Sequence, residues 1–590
     1  MRLRLSNPLP RRFRGFRPRA LLVGAGMILA GLALALRAVD LQVLRHEELS
    51  RLANRQSQRI LRIKGQRGPI LDRLGGHLAL SVQADSIFAR PGQLEQPAQA
   101  AYRLARILSI PRDKLEERFS SDSPFVWIKR RVTPLEASQV AALELAGVGT
   151  TREYLRVYPA RSYASALLGF TGVDTQGLEG LEYAFDSYLK GAEGYRVLGR
   201  DALGRTLMQN DDAEPSAGDS VKLTLHPAIQ YFAEQEVARA VSRTQASHGI
   251  ALVMRSQTGE LLAVAQSPGF NPNDYANSEK DAYFNRAVTS GYEPGSTFKV
   301  ITASAVLEAK SVKPDSLFFC ENGEFQFYDS VIHDTSPHGW LNLAGILRLS
   351  SNICAAKVGL TIPATVFRET ISRFGLGQRT GIFTLPDGRR LAGEAEGYVL
   401  PASRWTAVDQ AAVSFGHGVL VSPLQLLTAV NTIATGGLLL KPWIVQEIRD
   451  PEGRLVVQGQ RTVVRRAVSA QTAAQVRDLM IGVVQAEGGG TGTRAAIPGF
   501  QVAGKTGTTE KYDLQARGYS KSKEIATFVG FVPAEAPEIT LLVLVEDPQS
   551  SRFGGLIAAP AFREIAQRSL SLLGVWPREG VRRVALAPGD

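Results

Sequence analysis

Residues 20–36 are seventeen positions in a row without a charged or strongly polar side chain. Seven arginines (2, 4, 11, 12, 14, 17 and 19) crowd the nineteen residues before them, with no acid among them. At about 1.5 Å per residue, a helix over this run nearly crosses a hydrocarbon core of about 30 Å. It extends past Arg37, whose long stem snorkels to the interface, into Ala38 and Val39. We read a basic cytoplasmic tail at 1–19 and a transmembrane helix at 20–39. The chain is then a single-pass protein of the cytoplasmic (inner) membrane, with everything beyond residue 40 on the extracytoplasmic, periplasmic side. A cleaved signal peptide is the competing reading, with Ala33-Leu34-Ala35 as its small-x-small site, but the apolar run is long for one. Arg11-Arg12 in so basic a tail reads as topology charge, not as a twin-arginine signal.

The rest of the composition excludes several classes. At 590 residues, three or more folding units and a large core are expected. With 44% apolar and 21% charged residues, the chain is neither disordered, collagen-like nor a multi-span membrane protein. Two cysteines exclude a disulfide scaffold. The net charge of +12 falls to +5 without the arginines of the tail, so nothing points to nucleic acid.

Leu41, Leu44, Leu49 and Leu52 continue a helix out of the bilayer, and from Arg67 the texture changes to short strands and turns. Residues 40–219 mix strands with helices expected at 102–108, 135–145 and 178–189, and hold no catalytic cluster. They read as a structural or partner-docking module. A second unit, 220–576, starts with the strand-like Val221-Lys222-Leu223-Thr224-Leu225 and a helix over 227–242. A hairpin is expected from 250–255 and 260–266, and another β-branched pair from 527–532 and 539–545. Between them, 285–440 reads as mainly helical, and a helix over 559–573 closes the unit. Strands at both sequence ends with helices between imply an α+β fold whose sheet is completed by both ends. A polar tail, 577–590, follows.

The chemistry begins at Glu293-Pro294-Gly295-Ser296-Thr297-Phe298-Lys299. Residues three apart share a helix face, so Lys299 can bring its amine to the Ser296 hydroxyl. A serine is a poor nucleophile until a base takes its proton, and a buried lysine near other cations is neutral enough to do so. Ser520 and Lys523 repeat the spacing, but in the polar run 510–524, which reads as a solvated loop. Ser350-Ser351-Asn352 opens another helix; alone it is an ordinary cap. Ser350 could relay a proton, and Asn352 could hold a substrate amide. In Lys505-Thr506-Gly507-Thr508, a strand carries a fixed positive charge, two hydroxyls and a glycine that lets a substrate backbone lie along its edge; alone it is a surface strand with a lysine.

In this order, 54 and 155 residues apart from the first serine to the second and from there to Lys505, the three motifs form the set of serine β-lactamases and penicillin-binding proteins. The chain resembles the penicilloyl-serine transferase superfamily and, more narrowly, a class B (monofunctional) penicillin-binding protein of the cell-division type. Arg67-Gly68 to Asp72-Arg73, Gly169-Phe170-Thr171-Gly172 and Gln176-Gly177-Leu178-Glu179-Gly180-Leu181-Glu182 resemble that class's membrane-proximal signatures. Asn285-Arg286-Ala287, Phe415-Gly416-His417-Gly418, Ser422-Pro423-Leu424-Gln425 and Gly554-Gly555 resemble its catalytic-domain signatures. His417 stands where relatives often carry Tyr, and no catalytic role is assigned to it.

The resemblance implies an elongated α+β pedestal at 40–219, for dimerisation or partner docking. It implies a serine β-lactamase-like transpeptidase domain, an antiparallel sheet flanked by helices, at 220–576. It implies that Ser296 attacks the penultimate D-alanine carbonyl of a peptidoglycan stem peptide, with Lys299 as base and Ser350 bridging the lysines and passing the proton to the leaving amine. Asn352 would hold the acyl-side amide, and Lys505, Thr506 and Thr508 the terminal carboxylate beside Gly507. The backbone N–H groups of Ser296 and Thr508 would form the oxyanion hole. No cofactor or metal is implied; β-lactams would be covalent inhibitors. A SEDS-type glycan polymerase and other division proteins would be partners. An elongation-type enzyme of the same class and a non-enzymatic septal scaffold are the alternatives. A hydrolase is disfavoured because no Glu-x-x-Leu-Asn lies between Ser350 and Lys505. A class A enzyme would need a glycosyltransferase module that 40–219 does not resemble. A metal site at His333, Asp334, His338, Cys320 and Cys354 has irregular spacing, and pairing of the two cysteines is left open.

Overall fold

A computed structural model describes residues 16–50, 58–200, 206–208, 213–384, 393–513, 518–551 and 553–577. The first fifteen residues of the basic tail and the tail beyond 577 lie outside the described residues. Two compact units emerge, one of residues 1–65 with 192–216 and one of 66–191 with 217–590.

The first unit contains the helix Phe16–Val39 and an antiparallel sheet ordered Gln58–Ile63, Gly194–Arg200, Thr206–Met208. Among the described residues one helix is long and apolar enough to cross a membrane, Ala20–Leu44, and its side chains are exposed.

The second unit is organised by two sheets. One runs Leu455–Gln458, Val445–Arg449, Ser220–Leu223, Ile70–Leu71, His77–Ala89, Val126–Val132, with Val148–Val157 also paired to His77–Ala89. Beside it the membrane-proximal signatures converge on one buried carboxylate. Arg67 Nε and Arg156 Nε donate to the two Glu182 oxygens at 2.6 and 2.7 Å, and the Tyr158 hydroxyl adds a third bond at 3.1 Å. Two guanidinium groups repay the desolvation of Glu182, which lies 115 residues from Arg67 in the chain. The helix expected over 178–189 is broken at Phe185 into Gly180–Ala184 and Asp186–Leu189.

The other sheet is antiparallel and ordered Leu261–Ser267, His248–Arg255, Ile539–Glu546, Gly518–Val532, Ala503–Asp513. Strands from 248–267 and from 503–546, early and late in the stretch 220–576, complete it, whereas the strand expected at 221–225 pairs with Ile70–Leu71 and Val445–Arg449 in the first sheet. Every residue of Ile539–Glu546 is buried because both sheet faces are covered. Leu541 and Val543 join the core under the helices Pro227–Thr244 and Gly554–Leu572. Leu542 and Leu544 join the core shared with Lys299–Glu308, Pro423–Ala434 and Ala470–Val484. The period of two assigns alternate side chains to opposite layers. The mixed α+β architecture expected from the sequence is the one found. The polar run 510–524, read as a solvated loop, is a correction: its described part extends the last two strands, with Glu510 opposite Glu524 and Tyr512 opposite Tyr519. Backbone pairing carries this arm where the side chains give no apolar alternation.

Candidate active site

Ser296 lies in a single 3₁₀ turn, Gly295–Phe298, that runs into the helix Lys299–Glu308. Gly295 has φ of +51°, and a Cβ there would stand 2.2 Å from Thr509 Oγ1. A glycine is therefore required where the serine turn meets the edge strand. The opposing Gly507 is equally constrained, since a Cβ would meet Thr297 Cγ2 at 2.8 Å. These close approaches put the Ser296 turn against the 507–509 segment. The sheet order leaves Ala503–Asp513 as an edge strand.

The helix after Ser296 is buried from Lys299 through Leu307, so the lysine is carried into the interior by its apolar neighbours. Lys299 Nζ stands 3.0 Å from Ser296 Oγ, 2.6 Å from the Ser350 carbonyl oxygen, 2.7 Å from Asn352 Oδ1 and 3.3 Å from Ser350 Oγ. Ser350, at φ +63°, ends the helix Leu343–Leu349 in the left-handed region, which turns both its oxygens toward the lysine. Lys505 Nζ reaches the same Ser350 hydroxyl at 3.0 Å, and Thr506 Oγ1 at 3.3 Å. The Thr506 hydroxyl also lies 2.9 Å from that of Thr491, and Thr508 Oγ1 accepts from Gly554 N at 3.3 Å. Ser296, Lys299, Ser350, Asn352, Lys505, Thr506, Gly507 and Thr508 thus form one constellation.

Its electrostatics follow from burial. Lys299 is 1% exposed, and its pKa is held well below the ordinary lysine value, first by desolvation and then by the charge of Lys505; Asp334 opposes this. Burial alone brings Lys505 down to about 7. Two lysines flank one hydroxyl, and in both the free amine is favoured more than in an ordinary lysine. The second Ser-x-x-Lys has no such surroundings: it lies on the strand Gly518–Val532, where Ser520 Oγ accepts from the Lys523 backbone N–H at 3.1 Å.

Three supporting features carried no clear sequence signal. Asp334 caps the helix Asn352–Gly359, accepting from Asn352 N at 2.5 Å, Ile353 N at 3.0 Å and Ser351 Oγ at 2.5 Å. The adjacent His333 carbonyl takes Asn352 Nδ2 at 3.0 Å, so both ends of the Asn352 amide are held. Cys320 and Cys354 form a disulfide, with Cα atoms 5.1 Å apart, that ties the segment carrying Asp334 to the same helix. The cysteines and Asp334, noted in the sequence as metal-ligand types, are used in this bridge and this cap. Because the bridge closes a loop of 34 residues, Cys320→Ser with Cys354→Ser should cost about 3–4 kcal/mol of stability. Thermal unfolding with and without reductant checks this: the wild-type midpoint should fall to that of the double variant, and reductant should leave the variant unmoved.

Residues 249–567 match the penicillin binding protein transpeptidase domain model, and residues 62–223 the penicillin-binding protein dimerisation domain model. The chain is 33% identical over 578 residues to peptidoglycan D,D-transpeptidase FtsI of Escherichia coli (strain K12), covering 96% of this chain and 92% of that protein. It is 34% identical to stage V sporulation protein D of Bacillus subtilis (strain 168), covering 90% and 82%. Penicillin binding protein 3 of Mycobacterium tuberculosis, solved with aztreonam, superposes with a TM-score of 0.68 at 26% identity, covering 89% of this chain and all of that one.

Proposed function

This chain belongs to the class B penicillin-binding proteins, the serine-type peptidoglycan D,D-transpeptidases, and we propose that it works through an acyl ester on Ser296. The observation that carries this reading is the 3.0 Å approach of Lys299 Nζ to Ser296 Oγ in a site that depresses the lysine pKa. A neutral Lys299 gives its two hydrogens to the carbonyl oxygens of Ser350 and Asn352 and turns its lone pair toward the serine hydroxyl. Ser296 attacks the penultimate D-alanine carbonyl of a stem peptide laid along the edge strand Ala503–Asp513. The Ser296 proton passes through Lys299 and Ser350 to the leaving D-alanine amine. Lys505, Thr506 and Thr508 bind the terminal carboxylate, Asn352 the acyl-side amide, and the N–H groups of Ser296 and Thr508 the oxyanion. An amine of a second stem then takes the acyl group. A β-lactam enters by the same ester-forming step and stays.

Residues 40–219 serve as the pedestal and 220–576 as the transpeptidase domain. The basic tail keeps the N-terminus cytoplasmic and the site outside, where the Cys320–Cys354 bridge suits an oxidising compartment. The pedestal signatures favour the division septum over elongation, with a SEDS-type glycan polymerase as partner. Given a glycan polymer with D-Ala-D-Ala stems, the purified chain should release one D-alanine per cross-linked dimer, and penicillin should stop both. D-alanine release without dimers would make it a carboxypeptidase. A tagged chain should gather at mid-cell; uniform labelling of the side wall would assign it to elongation.

A further inference from the structure

The transfer step poses a problem that the constellation around Ser296 does not solve. The acceptor amine arrives as an ammonium, and it must lose one proton before it can attack and a second as the amide forms. Lys299 and Ser350 return one proton to Ser296. Another group must take the other.

A second cluster borders the serine turn. Gly295 N donates to the Gly416 carbonyl at 3.2 Å, which places the loop 415–418 against the residue before Ser296. From this loop His417 packs between Phe415 and Tyr519, with ring centroids at 5.2 and 5.4 Å. Its Nδ1 stands 4.0 Å from Glu293 Oε2, three residues upstream of the nucleophile. Tyr519, on the arm of the long hairpin, donates its hydroxyl to the Glu293 carboxylate at 3.1 Å, and Gly418 N donates at 2.9 Å. The Glu293 side chain is 14% exposed and that of His417 32%, so both are sheltered yet open on one side. Among the described residues no lysine or arginine pairs with Glu293.

We propose that Glu293, His417 and Tyr519 form the receiving site for the acceptor amine, with Glu293 as the counter-ion of the ammonium and His417 as the base that takes its first proton. The inference rests on the acyl-serine reading above. Burial raises the Glu293 pKa, opposed by the Gly418 and Tyr519 hydrogen bonds; it lowers that of His417 to about 4, helped by the charge of Lys299. Both shifts follow chiefly from burial, which disfavours the Glu293 anion and the His417 cation; an ammonium arriving beside Glu293 would favour its carboxylate. The imidazole is neutral, with a lone pair available; burial makes it a weak base, and Glu293 Oε2, 4.0 Å from Nδ1, is the group placed to favour the imidazolium as it forms. The freed amine nitrogen then attacks the acyl carbon. The C–N bond forms, the bond to Ser296 Oγ breaks, and the second proton passes through Ser350 and Lys299 to that oxygen. The third hydrogen remains on the amide, and the imidazolium releases its proton to solvent.

The test separates acylation from transfer in the full chain. Donor is an N-acyl-D-alanyl thiolester, and acceptor a synthetic stem tripeptide with a free side-chain amine. Acylation is followed with fluorescent penicillin, and acyl transfer as the partition between amine and water. In Glu293→Gln, His417→Gln and His417→Phe, the ratio of aminolysis to acylation should fall at least tenfold, and the acceptor KM should rise most in Glu293→Gln. An unchanged partition in all three variants overturns the proposal. So does a loss in which acylation and aminolysis fall together in every variant, which would make the cluster a structural support. Failure of the wild type to form any acyl-enzyme overturns the acyl-serine reading, and this inference with it.

Discussion

Ser296→Ala should abolish covalent labelling by a fluorescent penicillin, whereas Ser520→Ala should label at the wild-type rate. The sequence offers both serines with a lysine three residues on, and geometry separates them. Ser296 Oγ has Lys299 Nζ at 3.0 Å in a buried setting; Ser520 Oγ is engaged by the Lys523 backbone on an exposed strand arm. Without Oγ at 296 no ester bond can form, so the loss is complete at any incubation time. Labelled protein resolved on a denaturing gel reads it out. Adduct on Ser296→Ala, or its loss in Ser520→Ala, would contradict the assignment.

Lys299→Met should slow acylation by about a thousandfold or more, within the range that general base catalysis supplies. Lys299→Arg should not restore it, because a guanidinium keeps its proton at any working pH. The sign of the pH dependence follows from burial and the Lys505 charge, which favour the free amine of Lys299. The reactive form is fully present above the lowered pKa and is lost as pH falls through it. The wild-type acylation rate should therefore rise with pH on a limb well below that of an ordinary lysine. Lys505→Met removes the second of the two causes and should move that limb to higher pH, besides weakening carboxylate binding. Stopped-flow acylation across pH checks both; an acid limb unmoved in Lys505→Met would contradict the coupling of the two amines.

The parts of this site that were legible in the sequence are those where one residue type and a short spacing do the work. Ser296 and Lys299 are one helical turn apart, and Lys505-Thr506-Gly507 lies in a single strand. The sheet was legible too, because Ile539–Glu546 and His248–Arg255 are apolar enough to demand burial on both faces. What escaped depends on partners distant in the chain. Asp334 acquires its role only because a hairpin brings it onto the helix of Asn352, eighteen residues away. The Cys320–Cys354 bridge needs two Cα atoms 5.1 Å apart, which spacing does not reveal. The arm of Ala503–Asp513 and Gly518–Val532 reads as a loop in the sequence because its pairing is carried by backbone, with Lys511 tied to Glu546 and Asp547. His417 reads in the sequence as a variable position; its surroundings come from Glu293 and Tyr519, 124 and 102 residues away.

The central claim is an acyl ester on one serine during turnover. The most direct measurement is to quench the full chain in acid while it acts on a D-Ala-D-Ala stem peptide, digest it, and weigh the fragments. The fragment containing Ser296 should carry the mass of the stem peptide less one D-alanine, and Ser296→Ala should carry none. D-alanine released with no adduct on Ser296, or an adduct mapped to another residue, would contradict the account.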